Sequence, residues 1–129
     1  MIEEHFDSLE KVILGNSLVI LISFQRTYTS PETGYIKGEV FFIDSSSLII
    51  FQHVRVEGNK LIITDYRYHY MEVDNRLVFR YDNAPHYPEI NTFPHHKHFP
   101  SEIKEASMPN IEDVLAEIDS SIIRKIHLN

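Results

Sequence analysis

Residues 48–82 read LIIFQHVRVEGNKLIITDYRYHYMEVDNRLVFRYD, and this stretch decides the fold. It holds three runs rich in β-branched and aromatic residues, separated by Gly58-Asn59 and Asp74-Asn75. Both pairs are residue types that tolerate the positive φ of a two-residue hairpin turn. The three runs therefore read as consecutive antiparallel strands. Counting back from Asp74-Asn75 sets Met71 against Val78, His69 against Arg80 and Arg67 against Asp82. Tyr70 then meets Phe79, and Tyr68 meets Tyr81, on the opposite side. Counting back from Gly58-Asn59 sets Gln52 against Asp65. One face is thus expected to carry Gln52, Asp65, Arg67, His69, Arg80 and Asp82. The other is expected to carry Phe51, Tyr66, Tyr68, Tyr70, Phe79 and Tyr81 as an aromatic core. Arg67 and Asp82 read as a cross-strand ion pair.

Upstream, Leu18 to Thr29 and Tyr35 to Ile43 are further strands, with turns at Ser30 to Gly34 and Asp44 to Ser47. Before them, Ile2, Phe6, Leu9 and Ile13 recur at helical spacing, with acids in the first turn and Gly15-Asn16 as a stop. Downstream, residues 81–100 read YDNAPHYPEINTFPHHKHFP and hold four of the eight histidines and four of the six prolines. Proline has no backbone donor, so this segment is expected to be a long ordered loop, neither helix nor central strand. Ser101 to Ser107 reads as a short strand. Asn110 is a helix N-cap, and Ile111, Val114, Leu115, Ile118, Ile122 and Ile126 form the apolar stripe that follows it. The expectation is one α+β domain over residues 1–129. It is a single curved antiparallel sheet of about five or six strands, flanked by an N-terminal and a C-terminal helix.

Composition narrows the function. The chain has no cysteine, which excludes disulfides and thiolate metal sites. Its formal net charge is −7, the wrong sign for a general nucleic-acid-binding surface, so any such contact has to be local. The longest apolar run, Leu18 to Phe24, is too short to span a bilayer. The acidic N-terminus is neither a signal nor a transit peptide, so a cytoplasmic protein with no membrane contact is expected.

The loop histidines His86, His95, His96 and His98 admit three readings. They can hold a metal, with Asp82 joining them, although the spacing matches no strong ligand pattern. They can serve acid–base chemistry or phosphate contact, the reading preferred here, because several groups that titrate near neutrality lie beside Lys97. Or they satisfy the backbone of a buried proline-rich loop. No cofactor is called for.

The Tyr-rich run Tyr66 to Tyr70, the run Phe79 to His86 (FRYDNAPH) and the run Thr92 to His98 (TFPHHKH) resemble the TumE-type family of small toxins. With a weaker segment at Asp44 to Leu48 and the final helix, the resemblance covers most of the chain. One departure is visible: near the position where the family pattern has an acidic residue, this chain has Gln52. The resemblance implies the toxin of a two-gene toxin–antitoxin module, with a small helix-turn-helix antitoxin as its partner. By analogy, it implies an endoribonuclease acting on RNA without a cofactor. His69, His86, His96 and His98 are then the acid–base candidates and Arg80 the phosphorane contact. Arg67, Tyr68, Asp82 and Lys97 are substrate contacts, and a homodimer is compatible with the reading. The alternatives are a metal-dependent nuclease or hydrolase built on the loop histidines, and a non-enzymatic partner-binding protein.

Overall fold

The computed structural model describes residues 1–128. Its elements are α1 (Ile2–Leu14), β1 (Val19–Ser30), β2 (Thr33–Phe42), β3 (Ser47–Glu57), β4 (Lys60–Met71), β5 (Leu77–Asp82), β6 (His96–Phe99), β7 (Glu102–Glu105) and α2 (Ile111–Leu128). The seven strands form one antiparallel sheet in sequence order, so every connection is local. The two-residue turn at Gly58-Asn59 is present, with Gly58 at φ +63°; the turn at Asp74-Asn75 is one residue longer than expected, closed by the Glu72 N–H donating to the Arg76 carbonyl, with Asn75 at φ +66°. The sheet curves without closing, and irregularities in the β1–β2, β3–β4 and β4–β5 ladders add to the curvature.

Both helices lie on one face. From α1, Ile2, Phe6, Leu9 and Ile13 are buried, and from α2, Ile111, Val114, Leu115, Ile118 and Ile122. They cover Ile36, Val40, Ile50, Tyr68, Tyr70 and Phe79 from the strands. Each fully buried aliphatic or aromatic side chain contributes about 1.5–3 kcal/mol, so this shared face dominates stability. Ile126 does not join the stripe; it is exposed.

Polar ties set the helices on the sheet. The Asp113 backbone N–H donates to Asn110 Oδ1 at 2.8 Å, the expected N-cap. Asn16 Nδ2 donates to both Asp119 oxygens, joining the turn after α1 to α2. Arg26 on β1 pairs with Asp7 and Glu10 of α1. Lys125 on α2 pairs with Asp44 and with Glu72.

Three expectations change, each for a local reason. Thr64 is an extra residue in β4, so His53, not Gln52, lies opposite Asp65, and Gln52 pairs with Tyr66. A one-residue insertion reverses the faces beyond it. Gln52 is therefore buried on the helix side, and Phe51 lies on the open side opposite Arg67. In the same way Met71 pairs with Leu77, because Val78 is the extra residue. Third, His96–Phe99 is not loop but a strand between β5 and β7. Its four residues contain no proline; Pro94 and Pro100 flank it, so all its donors remain available. The loop is shortened to 83–95, and the sheet gains its seventh strand.

Candidate active site

The uncovered face is ordered in rows, because directly paired residues share a face. One row runs Lys37, Phe51, Arg67, Asp82, His96 from β2 to β6. The next row runs Ile49, His69, Arg80, His98. The two rows bring Arg80, Asp82, His96 and His98 together at the β5–β6 ladder.

Their contacts are short. Arg80 Nε donates to Asp82 Oδ2 at 3.0 Å, and the Ala84 backbone N–H donates to Asp82 Oδ1 at 3.0 Å. His96 Nε2 lies 2.9 Å from Asp82 Oδ1 and 2.9 Å from His98 Nε2. His98 Nε2 lies 3.3 Å from Asp82 Oδ2 and 3.1 Å from an Arg80 terminal nitrogen. His96 Nδ1 lies 2.9 Å from the Pro94 carbonyl. The Tyr87 ring, on the loop, stands edge-on to His96 at 5.0 Å and to His98 at 6.0 Å.

Donor and acceptor rules order the protons. A carbonyl only accepts, so His96 Nδ1 carries a proton. A guanidinium only donates, so His98 Nε2 is an acceptor. For His96 Nε2 to bond that acceptor it must donate too. The buried Asp82 carboxylate lies against both rings. An acceptor nitrogen leaves His98 a neutral ring. Burial and the Arg80 charge hold its pKa below the usual histidine range, and Asp82 opposes this only in part.

The same atoms have metal-ligand geometry. One oxygen of Asp82 and one nitrogen each of His96 and His98 lie within 4.8 Å of one another. The Pro94 carbonyl holds the other ring nitrogen of His96, as an outer-shell partner does for a metal-bound imidazole. A divalent ion could take the place of the proton between the two rings, with Arg80 moved off His98 Nε2.

Arg80, Asp82 and His98 line a cavity of about 360 Å³, together with Phe51, Arg67, His86 and Tyr87, while His96 is buried outside its lining. The chain matches the family model described as Toxin TumE over residues 9–122. It belongs to the TumE toxin family. No curated protein and no solved structure matches it. The TumE match spans the whole sheet and most of α2, so the centre lies inside the family region. A toxin of this kind implies an antitoxin partner. No described helix is long and apolar enough to cross a membrane.

The structure sorts the residues singled out from the sequence. Arg80, Asp82, His96 and His98 converge. His86 is exposed on the wall of the same cavity. His69 neighbours Arg80 across the ladder but makes no hydrogen bond to the centre. Burial and the charges of Arg80 and Arg67 lower its pKa. Arg67 lies opposite Asp82 as expected, yet has no ion-pair partner among the described residues, because the Asp82 carboxylate is already engaged.

Three residues lie on the helix side instead. Lys97 pairs with Glu117 at 2.6 Å and sits over the rings of Phe79, Tyr81 and Phe99. Tyr68 accepts from Gln52 at 2.7 Å, and burial raises its pKa to about 12. His95 stacks on Tyr66 and bonds its hydroxyl. Gln52 also bonds His5, at 2.8 Å, so the departure from the family pattern falls in the core and not in the centre. A second cavity, of about 380 Å³, opens there. Of its polar lining groups, Gln52 bonds both His5 and Tyr68, and Ser8, Glu112 and Asp113 stand at its wall.

Tyr87 and the Pro94 carbonyl were invisible to sequence reading. A tyrosine between two prolines carries no periodic signal, and a carbonyl has no side-chain identity.

Proposed function

We propose that this toxin is an endoribonuclease of the cytoplasm, restrained by a helix-turn-helix antitoxin, with its cleavage centre at Arg80, Asp82, His96 and His98. The observation that supports this most is the geometry of the centre: the His98 imidazole held within about 3 Å of a guanidinium, a second imidazole and a buried carboxylate. A scissile phosphate entering the cavity draws Arg80 off His98 Nε2 and pairs with it bidentately. Arg67, with no ion-pair partner among the described residues, adds a second phosphate contact. With His96 Nε2 turned to Asp82 Oδ1, the freed His98 Nε2 takes the proton of the ribose 2′-hydroxyl as that oxygen bonds to phosphorus. The bond from phosphorus to the 5′-oxygen breaks, leaving a 2′,3′-cyclic phosphate.

Attacking and leaving oxygens lie roughly in line across phosphorus, so acid and base must stand on opposite sides of it. His96 is only 2.9 Å from His98 and buried, which suits positioning and not the opposite end. His86, on the cavity wall, is the acid that protonates the 5′-oxygen. Asp82 carries the charge that His98 gains.

A second reading rests on the metal-ligand geometry of Asp82, His96 and His98, with a bound ion activating the nucleophile in place of His98. One experiment separates the two. Purified toxin is incubated with labelled mixed-sequence RNA, with and without EDTA, beside folded His98→Ala and His86→Ala variants. Cleavage that survives EDTA and is lost in both variants supports acid–base chemistry. Cleavage abolished by EDTA and restored by a divalent ion supports the metal reading. Absence of cleavage in every arm overturns the ribonuclease reading and leaves partner binding.

A further inference from the structure

The open face continues beyond the centre. Phe51 and Arg67 line the centre's cavity and also a shallower depression of about 310 Å³ that reaches Lys37 on β2. Tyr35 and Phe51 stand side by side there, with ring centroids 5.9 Å apart. Lys37 sits 5.6 Å above the Tyr35 ring, and Arg67 sits 5.9 Å above the Phe51 ring. Both cations are exposed, and neither has an ion-pair partner among the described residues, although the chain carries a net charge of −7. Acids outnumber bases in this protein, so two unpaired cations over two half-buried rings, three of the four in the row of Asp82 and His96 and Tyr35 in the row beside it, need a reason. Fold stability supplies none: the rings face away from both helices.

We infer that this row is a binding track for single-stranded RNA, which leads the strand across the sheet into the cleavage centre. Unstacked bases lie on Tyr35 and Phe51, and the backbone phosphates meet Lys37 and Arg67. Adjacent strands are about 4.8 Å apart, so the track from Lys37 to Asp82 is about 14 Å long. A duplex keeps its base faces stacked internally and offers these rings nothing, so the track selects single strands. The charge placement also reconciles RNA binding with an acidic protein: the positive surface is confined to the row that needs it. This assignment rests on the ribonuclease reading for its choice of RNA, but the track is measurable without any cleavage.

The test is fluorescence anisotropy of a labelled 12-nucleotide RNA, single-stranded and annealed to its complement, with the full-length protein carrying His98→Ala to silence cleavage. The single strand is expected to bind at least about 10-fold more tightly than the duplex. Phe51→Leu, which keeps an apolar side chain but removes the ring, is expected to weaken single-strand binding about 10-fold, and Phe51→Tyr to restore it. Lys37→Ala is expected to lower the slope of log Kd against log salt by about 0.7. Circular dichroism checks that each variant is folded. Equal binding of duplex and single strand, or wild-type affinity in both Phe51→Leu and Lys37→Ala, overturns the track. Wild-type protein that binds single strands in this pattern yet cleaves none supports the track and overturns the ribonuclease reading. Protein that cleaves RNA while Phe51→Leu and Lys37→Ala bind normally overturns the track alone.

Discussion

Replacing Asp82 by asparagine tests the charge logic of the centre with almost no change in shape. Asp82 Oδ1 accepts from the Ala84 N–H, and Oδ2 accepts from Arg80 Nε. An amide can accept on one side only. Whichever way it turns, its NH₂ meets a donor, and the counter-charge of Arg80 is lost as well. The cost depends on exposure. The side chains of Asp82 and His96 are 8% and 2% exposed, His98 14%, and Arg80 33%. Breaking a buried pair costs about 3–5 kcal/mol, and breaking an exposed pair about 0–1 kcal/mol. With one partner one-third exposed, about 2–3 kcal/mol is expected for Asp82→Asn. At about 4 °C per kcal/mol for a chain of this size, the melting temperature drops by about 8–12 °C. Thermal unfolding followed by circular dichroism at pH 7 measures it. Adding Arg80→Met to Asp82→Asn removes the stranded cation, so the double variant should be more stable than the two single losses predict by about 1–2 kcal/mol. An Asp82→Asn protein that melts within about 1 °C of wild type would refute the buried charge pairing that organises the centre around Asp82.

Three further outcomes follow from other parts of the fold. Lys97→Met strands Glu117 beside Tyr81 and should lower the melting temperature by a few degrees, while leaving single-strand RNA affinity unchanged; a large loss of affinity would return Lys97 to the binding surface. A Cβ at Gly38 would lie 2.0 Å from the Phe24 ring, so Gly38→Ala forces the ring aside and costs about 1–3 kcal/mol, read in the same melting assay. Burial raises the pKa of Asp44, but hydrogen bonds from Lys125 and Ser46 outweigh it, and the net pKa is below the ordinary 3.8. A depressed carboxylate contributes stability above its unfolded pKa and loses it as pH falls through the folded value. Melting temperature should therefore fall below pH 3.8 more steeply in wild type than in Lys125→Met, and parallel pH profiles would show that this pair is not the cause.

Much of the architecture was legible in the chain because it rests on local chemistry. Gly58-Asn59 and Asp74-Asn75 mark their turns, and the expected pairings of His69 with Arg80 and Arg67 with Asp82 hold because the extra Val78 offsets the longer loop before them. The helix stripes and the Asn110 cap are equally local. The prolines misled in one place: they bar strand structure at their own positions, not in the four residues between Pro94 and Pro100.

The aromatic core, the two helices, the hairpins and the family region were all present in residue order, since periodicity and turn type act over a few residues. Which groups form the centre was not. A bulge at Thr64 leaves no composition signal, yet it moves Gln52 into the core and Phe51 onto the open face. Alternation within β6 sends His96 and His98 to one side and Lys97 to the other, and this became decidable only once His96–Phe99 paired with β5. The contacts among Asp82, His96 and His98 depend on distances of about 3 Å between strands, with Pro94 and Ala84 contributing backbone atoms alone. Such contacts are set by register and burial across the sheet, which is why the tertiary structure had to choose among histidines that the sequence left equivalent.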